Sequence, residues 1–527
     1  GYEAGKAITS AQQSTVVGYQ AGTLISTGGY NTLFGYQAGD ALTIGDWNVA
    51  IGRNALGAED VGRGTVAIGM NCLVQQNSDS NNENTNNVAV GLNAGYSVIT
   101  GQGHTLIGAY AGELVRNQSY VTAIGVEALR YNGLGSHATA LGNAAGQYAT
   151  GSQNTFVGSS AGKGGTTSAP YSSGQNNTAV GYNAFDAFTT ALHVTAIGHQ
   201  AGSALTTGGY NTFVGKDAGE QVTTTLYGVA IGAEAMRAGG ANSLIAIGYG
   251  ALDATNHSDA LGSIGIGHAA MGSMNSGIGN VAIGYAALGT EDSGDYNTAI
   301  GHQALQNQNR DGTVNNTAVG YKAGLDVTTA WSFTALGSNA GNSVTTGTEN
   351  TLIGANIATS LTTGDYNTAL GADALLSEDV GRGTTAIGYQ TLYSQNSDSN
   401  DEDAYNTAVG IYAGYDITTG TNNTLIGAQA GDNASTLGGS IGVGYQSLGG
   451  ANATLLTGTN HSVAIGYQAA GNASGNWGNG VYIGYLTGNH DTSGGNVAVG
   501  YRALEIASGS YMTKNTAIGM LSQQNIS

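Results

Sequence analysis

The chain has 527 residues, 40% hydrophobic and only 9% charged, with 90 glycines, one proline and one cysteine. That composition excludes collagen, which needs a proline-rich Gly-X-Y period, and simple disorder, which goes with low hydrophobicity and high charge. The formal net charge of −20, against 13 Lys plus Arg, leaves no basic cluster for a nucleic-acid backbone. No stretch is apolar over the roughly eighteen residues of a membrane helix, and no basic start followed by an apolar run marks a signal peptide.

From the N-terminus onward one phrase repeats. Asn31-Thr32-Leu33-Phe34-Gly35-Tyr36-Gln37-Ala38-Gly39 returns as Asn211–Gly219, Asn297–Leu305 and Asn423–Gly431. Its pivot glycine stands at Gly18, Gly35, Gly52 and Gly69, then at Gly91, Gly108, Gly125 and Gly142, and continues to Gly500 and Gly519. The dominant step is 17 residues, and a fixed short period over a whole chain is the signature of a solenoid. The expected fold is all-β: a parallel β-solenoid (β-roll or β-helix) of about thirty 17-residue coils over 1–527. At one strand spacing of about 4.8 Å per coil, such a solenoid is a rod of roughly 140 Å.

Within each copy the residue types alternate at the strand period. The residue before the glycine is Ile, Val, Leu or Phe (Ile51, Ile68, Val90), and two earlier stands Thr or Val (Thr32, Val49, Thr105). Both columns are expected inside the coil, the Thr hydroxyl bonding the coil above or below. The column between them, mostly Ala but Leu33, Leu106, Phe156, Phe213, Leu352 and Leu425 in some copies, is then outward. An apolar stripe of that length is far larger than a soluble monomer leaves exposed, so it is expected to be an inter-chain contact in a homotrimer. The pivot glycine suits a close backbone approach. The following x-x-Ala-Gly reads as a second short strand, and Asn side chains stack from coil to coil.

Long loops interrupt the period near 74–86, 163–175 and 393–404; the second holds Pro170, which cannot donate to a strand ladder. Glu59–Thr65 reappears as Glu378–Thr384 and brings its long loop with it, so a block of several coils is duplicated. The chain starts and stops within repeats and reads as a segment of a longer fibre.

The phrase at Asn297–Ala304, Asn367–Ala374 and Asn406–Ala413 resembles repeats found upstream of chaperone domains in phage tail-fibre-like proteins. Ser462-Val463-Ala464-Ile465-Gly466 is similar to the coils in the heads of trimeric autotransporter adhesins. The resemblance implies a trimeric, extracellular shaft on a virion tail or a bacterial surface, serving attachment to a host. A self-assembling extracellular filament is the alternative, and an ice-binding solenoid the third reading, disfavoured because Thr alternates with Val as core positions do.

Individual residues carry little chemistry. Gly158-Ser159-Ser160-Ala161-Gly162 matches a nucleophile elbow on paper but is a copy of Gly35–Gly39. No catalytic constellation recurs, and no enzyme or cofactor is expected. Cys72 occupies an Ala column and reads as a small packed side chain. Asp79, Glu83, Asp398, Asp401, Glu402 and Asp403 are candidate calcium ligands, but without a glycine-punctuated spacing they read as solvated loops. Tyr19, Tyr36, Tyr182, Tyr249, Tyr285, Tyr321, Tyr389, Tyr445, Tyr467, Tyr485 and Tyr501 follow the pivot glycine. They form a candidate row for stacking on a cell-surface glycan, weighed against ordinary packing between coils.

Overall fold

The computed structural model describes residues 1–78, 80, 83–165, 171–239, 241–255, 261–397, 403–449, 461–472, 478–491, 495–505 and 514–523. The protein is a parallel β-solenoid with no helix among these residues. It falls into two compact units, Gly1–Gly262 and Ser263–Ser527. The first carries fourteen three-residue strands, from Thr15–Val17 to Ile245–Ile247, and the second fifteen, from Ile264–Ile266 to Thr516–Ile518. Within each unit successive strands pair parallel and in register, so that Thr32 faces Thr15 and Val49, and Thr334 faces Thr317 and Thr351.

The pivot glycine is required by contact between coils. Gly35 has φ +144°, and a Cβ there would lie 2.5 Å from the Gly52 carbonyl oxygen. The segment after it is a turn and not the expected second strand. Gln37 and Gly39 take φ of +52° and +55°, which breaks the extended backbone. The turn nevertheless keeps its hydrogen bonds, in both directions: Gln37 N–H donates to the Tyr19 carbonyl and Gly39 N–H to the Ala55 carbonyl, each at 2.9 Å.

The strand faces are the reverse of the expectation. Leu33, Leu106, Phe156, Phe213, Leu352 and Leu425 are fully buried inside the coil, whereas Phe34, Ile107 and Leu141 of the flanking column are exposed. The expected inter-chain stripe is therefore the solenoid's own core. The reason is volume. The strand centre shares the interior with the fourth residue past the glycine, and the two compensate: Leu33 with Gly39, Phe213 with Gly219, but Ala50 with Leu56 and Ala299 with Leu305. A Cβ at Gly162 or Gly219 would lie 2.1 or 2.6 Å from the ring of Phe156 or Phe213. Close packing admits one large side chain per layer at this point.

Asn at the start of each phrase falls on the same face as the strand centre and is buried with it. Asn31 Nδ2 donates to the Gly45 carbonyl (2.8 Å), and its Oδ1 accepts the Asn48 N–H of the next coil (2.8 Å). Asn48 repeats this with Gly62 (2.9 Å) and Thr65 (3.0 Å). The ladder is thus amide-to-backbone, and it satisfies buried main-chain groups that no strand partner reaches. The hydroxyl-to-next-coil bonds expected of the strand Thr occur in a different column, through Ser26, Thr43, Thr189 and Thr345 at 3.0–3.1 Å.

Candidate functional site

The outward face of the strands is the most extended surface feature of each unit. Four columns project from it in order: an aromatic or small residue before the Asn, then Thr or Val, then Ile, Val or Leu, then the residue after the glycine. Phe34, Leu141 and Ile300 of the third column are 55%, 46% and 37% exposed. Strands about 10 Å long, spaced about 4.8 Å, give the fourteen strands of the first unit roughly 650 Å² of such surface. Thr hydroxyls make part of this face polar, so its apolar share is on the scale of the largest apolar patch of a typical monomer, about 300–600 Å².

Two aromatic rows border this face. In the expected glycan row, Tyr19 stacks on Tyr36 (5.2 Å, 6°), Tyr445 on Tyr467 (5.2 Å) and Tyr485 on both Tyr467 (5.1 Å) and Tyr501 (5.3 Å). Tyr182 stacks on His199, and Tyr285 lies between His268 and His302, which also meets Tyr321. Tyr389 meets Tyr412 edge-on, and Tyr249 is exposed. A sugar needs an open ring face, and rings inside these stacks give their faces to one another, leaving edges outward. The second row stands before the Asn and includes Tyr30, Trp47, Tyr120, His137, Tyr210 and Tyr227. At Gly103 and Gly383, where this position is Gly, the aromatic of the next coil covers it: a Cβ there would strike Tyr120 or Tyr405 at 2.8 or 2.5 Å.

The long loops near 74–86 and 393–404 are pinned from inside by carboxylates that the sequence reading left unassigned. Glu59 is fully buried in a column that also holds Ile25, Leu42, Gln76 and Val98. Its Oε1 accepts the Gly62 N–H (2.6 Å), and its Oε2 accepts Gln76 Nε2 (2.9 Å) and the Ser78 hydroxyl (3.0 Å). Gln76 Oε1 then accepts Asn87 Nδ2 (2.9 Å). The duplicated block rebuilds this with Glu378, Gln395, Ser397 and Asn406. Glu291 with Gln308 and Asn316 makes a third version, and burial pushes the Glu291 carboxyl above its ordinary value. Each precedes a step longer than 17 residues, so the network satisfies donors where the chain leaves the regular coil. The signal was present: Glu-Asp-x-Gly with a Gln 17 positions on, three times.

Of the acidic loop residues, Asp79, Asp398, Asp401 and Glu402 lie outside the described residues. Glu83 bonds Gln102, and Asp403 pairs with Arg382 at 2.5 Å. Among the described residues, no group of three or more His, Cys, Asp or Glu is arranged to hold a metal ion. Cys72 is buried, its Sγ donating to the Ala89 carbonyl (3.2 Å), and burial pushes the thiol up to about 12. Comparison with protein-family models, curated proteins and solved structures gives no match.

Proposed function

We propose that the chain is the structural shaft of an extracellular, trimeric fibre, of the phage tail-fibre or cell-surface adhesin kind, that serves attachment to a host. The observation that carries this is the outward column of Ile, Val, Leu and Phe, exposed or half-exposed in every coil of each unit. Another ladder of the same repeat is its natural cover, because only a partner with the same coil spacing keeps every row in contact. About 650 Å² of strand face per unit, widened by the bordering aromatics, is on the scale of the ~800 Å² per partner of a stable interface. The oligomer uses the face opposite to the one the sequence suggested.

Light scattering on the native chain and on a Leu141→Asp plus Ile300→Asp variant tests this. A mass of three chains that falls to one, with the far-ultraviolet dichroism unchanged, is the expected result. A single-chain mass for the native protein removes the trimer.

A second reading rests on the outward Thr column, since regularly spaced hydroxyls on a strand face can order water. Thermal hysteresis measured on the single-chain variant separates it from the shaft.

A further inference from the structure

A cavity of about 290 Å³ lies between the turns of two successive coils, lined by Tyr412, Tyr415 and Asp416 from one and Gln429, Asp432 and Asn433 from the next. Its aromatic wall departs from the repeat. The second residue past the pivot glycine is Gln at Gln20, Gln37, Gln390 and Gln429, but Tyr at Tyr412, as at Tyr110. Tyr412 stands edge-on to both Tyr389 (5.6 Å, 74°) and Tyr415 (5.7 Å, 79°), outside any parallel stack. Tyr415 stacks on Tyr393 on one side (5.0 Å, 13°). Toward the next coil, where a third aromatic would continue that stack, stands Asp432; the adjacent Asp416 N–H donates to the Asp432 carbonyl at 3.1 Å.

The acidic wall lacks a cation. Asp432 is 8% exposed, and its carboxylate accepts Asn433 Nδ2 at 3.3 Å. Among the described residues neither Asp432 nor Asp416 forms an ion pair, whereas half-buried Glu113 is met by Arg130 at 2.6 Å. Burial pushes both carboxyls upward, Asp432 to about 7 with the Asp416 charge adding to the effect. Two desolvated carboxylates facing one cavity without a counter-charge favour a positive ligand. Gln429 Oε1 accepts Gln446 Nε2 (3.2 Å), which leaves its own Nε2 as a donor beside the cavity.

We infer that this cavity binds a protonated amine carried on a small hydroxylated ring, the chemistry of an amino sugar. The two carboxylates take the ammonium group, the Tyr412 and Tyr415 rings add cation–π attraction and apolar cover, and the Gln429 amide meets a hydroxyl. The cavity stands at the lower end of ligand-pocket volumes, about 300 Å³, which suits one ring and not a long chain. This goes beyond the shaft reading and does not depend on the number of chains in the fibre.

Calorimetric titration of the full chain with glucosamine at about pH 7, above the ordinary carboxylate range, tests the site. Glucose and N-acetylglucosamine serve as uncharged counterparts. The expected result is saturable glucosamine binding, at least about tenfold tighter than either counterpart and at least about tenfold weaker in an Asp416→Asn plus Asp432→Asn variant. Tyr412→Gln restores the residue usual in the repeat, so it keeps the fold while weakening binding. Equal binding of glucose and glucosamine, no binding of glucosamine, or binding unchanged in the double variant overturns the proposal. So does calcium saturating the site without a glucosamine response. Native mass is read on the same samples, so failure of the trimer and failure of this site are distinguishable.

Discussion

His104 interrupts the buried Asn ladder and makes one coil sensitive to acid. It is 1% exposed and follows Asn87, whose Oδ1 accepts the His104 N–H at 2.9 Å. Its Nδ1 accepts the Val121 N–H (3.3 Å), which fixes the proton on Nε2; that atom lies beside the Gln118 carbonyl without closing a hydrogen bond. Burial holds the imidazole at about 4, well below its ordinary 6.5. Because the folded value is the lower one, the neutral ring's contribution is complete above the unfolded value and is lost as pH falls through 6.5 towards 4. The linkage relation makes that loss about 2 kcal/mol at pH 5 and about 3 kcal/mol at pH 4. His104→Asn removes the titration and restores the ladder, with Oδ1 accepting Val121 and Nδ2 donating to Gln118 as Asn87 Nδ2 donates to Gly101 (2.8 Å). Coils of a solenoid open locally, so the assay is hydrogen exchange of the peptides spanning residues 98–124, native chain against variant at matched pH. Protection is expected to diverge from pH 7 to pH 5 there, and to stay equal in the second unit. Parallel pH profiles for the two proteins would refute the buried, neutral histidine.

Other perturbations separate core from surface. Phe213→Ala empties the strand centre and is expected to lower stability by about 3–5 kcal/mol in denaturant unfolding, while Ile197→Ala on the outward face of the preceding strand costs much less in the single chain. Gly215→Ala places a Cβ 2.4 Å from the Gly232 carbonyl oxygen at φ +138°, so local exchange protection or soluble yield should collapse. Glu378→Gln turns its NH2 group on one of two donors now held at 2.7 Å, the Gly381 N–H or Gln395 Nε2; the resulting clash of donors is expected to cost about 1–3 kcal/mol, seen as faster proteolysis at the following loop.

The period, the strand and the stacking order were legible because each is written some thirty times and needs no knowledge of what lies beyond the strand. Polarity of the strand was not, because a three-residue strand offers one residue to one side and two to the other, and both sides here are apolar. The interchange of Thr and Val, which share one branched shape, points to the pair Thr/Val and Ile as core. Packing decides otherwise, and its trace is a correlation between positions six apart: Leu33 or Phe213 at the strand centre goes with Gly39 or Gly219, and Ala50 with Leu56. Residues that trade volume must share one interior. Parity adds a second constraint, since Asn31 and Leu33 point the same way and an Asn that bridges coils belongs inside. The segment after the pivot glycine is a turn and not a second strand because the backbone takes left-handed φ at Gln37 and Gly39, which the residue types alone do not reveal. A narrow coil therefore keeps its small residues and its amides inside and presents its β-branched residues outward. In this repeat the most hydrophobic column of the sequence lies on the outward face of the coil.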